Sequence, residues 1–161
     1  MSPNFYLQRT LYSQDKTFHE TALLAASRFV VVLAEPGAGK TRLMESLAHQ
    51  LGTKVVTAKR FTHTERLVSQ VPLLIDAYDE LAKVDASGIY KLLEAAHRTS
   101  PTHLVISSRS SEWDNAASST FKEFFDEPPL VVRLSEFNKD EQRRILSITA
   151  RKKTSSRFKP R

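Results

Sequence analysis

The 161-residue chain contains no cysteine. That excludes a disulfide framework, a thiolate metal site and a cysteine nucleophile. No apolar run approaches the roughly 18–20 residues of a membrane span. The opening MSPNFYLQRTLYSQDK lacks the basic start and apolar stretch of a secretion signal, so a cytoplasmic location is expected. The five histidines, His19, His49, His63, His97 and His103, show no metal-ligand spacing. Net charge is also scarce over most of the chain. The formal total is +6, but Arg151 to Arg161 hold six basic residues and no acid, which leaves 18 basic against 18 acidic in positions 1–150. A nucleic-acid-binding domain more often carries a basic face of its own. Contact with nucleic acid is therefore expected only through the tail, read as a solvated, disordered terminus.

What is present fits one soluble domain, with 40% apolar and 26% charged residues. Phe29 to Leu33 is a continuous β-branched run and predicts a strand buried on both faces. Lys40 to Leu51 predicts a helix, because Leu43, Leu47 and Leu51 recur every four residues with Met44 and Ala48 beside them. Gly52 follows where a C-cap belongs. Further strands are expected at Thr53–Ala58, Pro72–Asp76, His103–Ser107 and Leu130–Leu134. Helices are expected at Thr62–Ser69, Ser87–Arg98 and Lys139–Ala150, the last capped by Asn138. Trp113, Phe121, Phe124 and Phe125 should pack a loop or short helix on the core. This alternation implies βαβ units, a mainly parallel sheet of about five strands and helices on both faces. In such sheets ligands bind beyond the carboxyl ends of the strands.

Two of the four glycines fall in Ala34-Glu35-Pro36-Gly37-Ala38-Gly39-Lys40-Thr41, between the first predicted strand and its helix. The segment matches G-x-x-x-x-G-K-[ST] apart from Ala34 at the first glycine. Gly37 and Gly39 let the backbone approach phosphate oxygens, because no Cβ intervenes. Successive N–H groups from Glu35 to Arg42 then form an anion nest beside a helix N-terminus. Lys40 would reach the outer phosphates, and the Thr41 hydroxyl is placed to ligate Mg²⁺.

A second constellation ends the strand Pro72–Asp76. Asp76 stands at the carboxyl end of a buried strand, where a carboxylate holds Mg²⁺ directly or through water. Glu80 is the expected general base for an attacking water, with Asp79 sharing the work or positioning the metal. The next strand ends in Ser107-Ser108-Arg109. Ser107 or Ser108 is expected at the attacking water or the γ-phosphate. Arg109 is expected to contact the γ-phosphate and report hydrolysis. Its alternative is a surface pair with Glu112 or Asp114.

AEPGAGKT, LLIDAYDEL and LVISSR, in this order, resemble the nucleotide-binding core of NACHT-type STAND NTPases, signalling members of the AAA+ and additional-strand P-loop group. Asp76, Asp79 and Glu80 match the family's acidic segment, with Ala77 at its small-residue position. The lead-in Phe5 to Arg9 looks like the aromatic–basic segment before such domains, and Leu134 to Glu141 like the passage from last strand to next helix. The resemblance implies a three-layer α/β/α P-loop NTPase over 29–150, preceded by a lead-in segment and helix over 1–28 and followed by a basic tail over 151–161. It also implies slow Mg²⁺-dependent hydrolysis of ATP or GTP, a nucleotide-controlled signalling switch, and a role in antiviral or innate-immune-like sensing. A complete relative carries further helical domains, so a stand-alone or truncated core is expected. Its partners would be a homo-oligomer or a longer STAND-like protein supplying those domains. Two alternatives stay open: a regulatory nucleotide-binding module without turnover, and a nucleic-acid-dependent AAA+-like ATPase resting on the basic tail.

Overall fold

Side chains alternate across a strand, and here each alternate set is apolar, so the sheet needs cover on both sides. The computed structural model describes residues 8–134 and the isolated positions 143, 146 and 147. Within it the strands are β1 (Thr10–Ser13), β2 (Lys16–His19), β3 (Phe29–Leu33), β4 (Val55–Thr57), β5 (Leu73–Asp76), β6 (Leu104–Ser108) and β7 (Leu130–Leu134). The helices are α1 (Glu20–Ala26), α2 (Lys40–Gln50), α3 (Ala58–Thr62), α4 (Tyr78–Val84), α5 (Gly88–Arg98) and α6 (Asn115–Phe125). One sheet runs in the order β2-β1-β7-β3-β6-β5-β4. Val30 and Val32 of β3 and Val105 of β6 pack with Leu23 of α1 and Leu43 and Leu47 of α2. The intervening Val31 and Ile106 face the other way, against Leu92 of α5 and Phe121 of α6. These side chains are almost fully buried, and each contributes about 1.5–3 kcal/mol of transfer free energy. The result is the expected α/β/α layering.

The five strands β7, β3, β6, β5 and β4 are mutually parallel, as expected. The sheet nevertheless has seven strands rather than about five. β1 and β2 form an antiparallel hairpin, and β1 pairs antiparallel with β7 through Leu11↔Leu134 and Tyr12↔Arg133. The hairpin covers an edge that β7 would otherwise expose.

Local chemistry sets the element ends. After α2, Thr53 N–H donates to Ala48 O at 2.9 Å and Gly52 N–H to His49 O at 3.2 Å, the paired bonds of a Schellman stop. The helix expected at Thr62–Ser69 lies earlier, at Ala58–Thr62. The Thr57 hydroxyl caps it by accepting from Arg60 N–H, and Phe61 is thereby buried. Asp114 caps α6 by accepting from Ala117 N–H at 2.8 Å. The helix predicted at Lys139–Ala150 and the tail 151–161 lie outside the described residues, apart from helical positions 143, 146 and 147. No helix among the described residues is long and apolar enough to cross a membrane.

Candidate functional site

Strand order decides which loops meet. β6 lies between β3 and β5, with Val31 and Ile75 both in register with Ile106. The carboxyl ends of three adjacent strands therefore bring together the Gly-rich loop after β3, Asp76 of β5 and Ser107-Ser108-Arg109 of β6.

The Gly-rich loop leaves the sheet beside β6, where Ala34 N–H donates to Ser108 O at 3.0 Å. Ala34 is not among the residues with positive φ, so the missing first glycine is no obstacle to this turn. Gly37 and Gly39 do require left-handed geometry, at φ 82° and 91°. Ala38 N–H closes back on Glu35 O at 3.2 Å. Glu35, Pro36 and Gly37 are exposed, whereas Ala38 is buried. The loop runs directly into the eleven-residue helix α2. Its first-turn N–H groups and dipole end favour an anion there. Arg42 lies on the exposed side of that helix.

Thr41 Oγ1 donates to Asp76 Oδ2 at 3.5 Å. Asp76 is 8% exposed. Its Oδ1 accepts from the Ser107 hydroxyl and from Ala77 N–H, the latter at 2.9 Å. Ala77 takes φ 61°, so the chain turns sharply from β5 into α4. That turn brings Asp79 back towards the loop. Lys40 Nζ lies 3.2 Å from Asp79 Oδ1, and Arg109 Nε lies 3.5 Å from Asp79 Oδ2. Asp79 is 4% exposed and bridges the two cations.

The structure thus gathers Lys40, Thr41, Asp76, Asp79, Ser107 and Arg109. Glu80 is exposed in the first turn of α4 and forms no ion pair among the described residues. Ser107, expected at the phosphate or water, is fully buried and directs its hydroxyl to Asp76. The Ser108 hydroxyl donates to Arg109 O at 3.0 Å. Arg109 pairs with Asp79 rather than with Glu112 or Asp114.

The chain matches the sequence model of the family Novel STAND NTPase 3 over residues 12–151. This chain belongs to the STAND NTPases. No curated protein sequence matches it. Its membership makes it a P-loop NTPase of a nucleotide-binding signalling family.

Sequence reasoning missed one set of contacts beside this candidate site. Arg9 and Glu20 are buried at 3% and 0% exposure. Arg9 Nη1 donates to the carbonyl of Ala38, inside the Gly-rich loop. Glu20 accepts from Arg9 N–H, from the Ser46 hydroxyl and from Gln50 Nε2 of α2. The N-terminal hairpin and α1 are thereby fastened to the loop. The only signal in the sequence was the aromatic–basic lead-in ending at Arg9. A second unforeseen contact backs α4, where Tyr78 meets Trp113 edge-on with ring centroids 5.4 Å apart. Burial, reinforced by nearby Asp114 and Glu112, pushes the Tyr78 hydroxyl up to about 12.

The residues fit a magnesium nucleotide. The Thr41 hydroxyl and the Asp76 carboxylate converge from different elements, as neighbouring oxygens of one hexacoordinate cation must. The loop beside them has backbone donors and a cation for phosphate.

Proposed function

We propose that this STAND NTPase binds Mg²⁺-ATP or Mg²⁺-GTP and hydrolyses it slowly, as a cytoplasmic signalling switch of the NACHT kind in antiviral or innate-immune-like sensing. The observation that carries the reading is the 3.5 Å approach of Thr41 Oγ1 to Asp76 beside a loop with left-handed Gly37 and Gly39. When bound, Mg²⁺ would neutralise part of the phosphate charge. Loop N–H groups and Lys40 hold the polyphosphate. The Ser107 hydroxyl and Ala77 N–H, both donating to its Oδ1, orient Asp76.

Asp79 lies buried beside the Gly-rich loop whereas Glu80 is exposed, so Asp79 is assigned the proton of the attacking water once nucleotide has drawn Lys40 and Arg109 away from it. Arg109 changes its partner from Asp79 to the γ-phosphate and so registers the nucleotide state. Pairing of Lys40 and Arg109 with Asp79 supports slow turnover, since both cations must leave it before phosphate is held. Transition-state cations beyond these would come from a second copy or a longer STAND-like partner.

The test is titration of fluorescent ATP and GTP with and without Mg²⁺, alongside phosphate release. Lys40→Ala should abolish binding. Asp79→Asn should bind nucleotide and release no phosphate. Nucleotide affinity unchanged by Lys40→Ala, or indifferent to Mg²⁺, would end the proposal.

A further inference from the structure

A cavity of about 390 Å³ lies at the opposite end of the sheet from the Gly-rich loop. Lys54 precedes β4 and Pro72 precedes β5, and both line it, whereas Asp76 ends β5. Its volume falls within the ~300–1,000 Å³ typical of ligand pockets. Val56, Phe61, Leu67 and Leu73 form an apolar floor. Val68 stands on the wall at 71% exposure, one of few large apolar side chains so open to water among the described residues. The remaining lining includes Lys54 and Arg66 and no Asp or Glu. Among the described residues neither cation forms an ion pair. Residues 52–68 hold Lys54, Lys59, Arg60 and Arg66 against Glu65 alone. This stretch is therefore net basic, whereas the rest of positions 1–150 carries a small acidic excess.

We propose that this cavity docks an extended acidic peptide segment of a partner protein, with one apolar side chain inserted between α3 and residues 64–73 that follow it. Three observations choose that occupant. Lys54 and Arg66 flank the apolar floor without anions of their own, which asks for carboxylates on either side of an anchor. β4 is the end strand of the sheet and pairs with β5 alone among the described residues, so the cavity adjoins a strand whose outer edge no other described strand covers, where an extended segment could add. The chain's own residues 151–161 are all-basic in their charge and would be repelled. A nucleic acid would use the cations but has no anchor for the apolar floor.

The test uses the full chain and a fluorescein-labelled peptide, Glu-Leu-Glu-Phe-Glu-Leu-Glu. Its controls are the same peptide with serine at every apolar position and an oligothymidylate. Fluorescence anisotropy should show the apolar peptide binding. The combined Lys54→Glu and Arg66→Glu variant should weaken it by about tenfold or more, as should Val68→Asp. All three positions are exposed, and unchanged far-ultraviolet circular dichroism verifies each fold. Nucleotide affinity should stay at the wild-type value in both variants, which separates this proposal from the one for the Gly-rich loop. Undiminished binding by both variants would place the peptide elsewhere on the chain and overturn the proposal. So would absence of binding, equal binding of the serine peptide, or stronger binding of the oligothymidylate.

Discussion

Replacing Asp79 by asparagine removes one negative charge from between two positive ones, with opposite consequences for folding and for ligand binding. At an effective dielectric near 20, Coulomb's law gives about 5 kcal/mol for the 3.2 Å pair with Lys40. Desolvation offsets much of that, because the Asp79 side chain is only 5% exposed. Lys40 and Arg109, at 17% and 39%, can regain water once the carboxylate is gone. The expected loss of stability is therefore about 1–2 kcal/mol, below the 3–5 typical when one partner of a fully buried pair is removed. For a domain of this size that lowers Tm by about 2–8 °C. The two cations, no longer held by the carboxylate, become available to a polyphosphate. Nucleotide affinity should rise about tenfold, the equivalent of about 1.4 kcal/mol. Turnover should fall by about 10²–10⁴, the usual contribution of a positioned base. Thermal melts, titration of a fluorescent nucleotide and phosphate release measure the three effects on one preparation. Glu80→Gln removes the same charge from an exposed neighbour and supplies the electrostatic control. If Asp79→Asn bound nucleotide no more tightly than Glu80→Gln, the competition between carboxylate and phosphate would be refuted.

Three further outcomes are expected. Gly37→Ala places a Cβ where nothing lies within 4 Å, so its cost is the strain of φ 82°, about 1–2 kcal/mol; a melt lowered by only a few degrees, with weakened nucleotide binding, checks this. Glu20→Ala strands the Ser46 hydroxyl, the Gln50 amide and a buried backbone N–H, and should cost about 3 kcal/mol in urea unfolding; a loss under about 1 kcal/mol would show that the network contributes little. Tyr78 has its folded-state pKa raised from 10 to about 12. Its contribution is fully present below pH 10 and is lost as pH climbs to about 12, because the unfolded chain releases the proton first. Tyr78→Phe should flatten this alkaline slope in pH-dependent unfolding.

The sequence was most informative where burial on both faces left no choice of structure. Phe29–Leu33, Leu73–Asp76 and Leu104–Ser108 are apolar runs that fit only a covered parallel sheet, and the loop before Lys40 is legible because phosphate chemistry fixes its residue types. Short elements were less visible. Thr10–Ser13 and Lys16–His19 are four-residue strands joined at Gln14, with φ 51°, and Asp15, without the Asn-Gly or Asp-Gly signal of a hairpin. α3 was displaced because the Thr57 cap, rather than apolar periodicity, sets its start. At the site, the meeting of Lys40, Asp76 and Arg109 followed from strands that end on one side. The choice between Asp79 and Glu80 did not, since adjacent residues on a helix point about 100° apart and only the turn at Ala77 decides which faces inward. Arg9 and Glu20 carried no periodic signal at all. Buried polar groups depend on partners distant along the chain, here Ala38, Ser46 and Gln50.

The lone tryptophan of the chain has a consequence for observation. Trp113 is buried, donates its indole N–H to Ser118 at 2.9 Å and abuts Tyr78, the residue directly before Asp79. Emission from that single indole therefore originates beside the residue that precedes the carboxylate paired with Lys40 and Arg109. If nucleotide draws Lys40 and Arg109 away from Asp79 as proposed, the unlabelled protein should report it by its own ultraviolet fluorescence, and a stopped-flow trace would time that change against nucleotide addition.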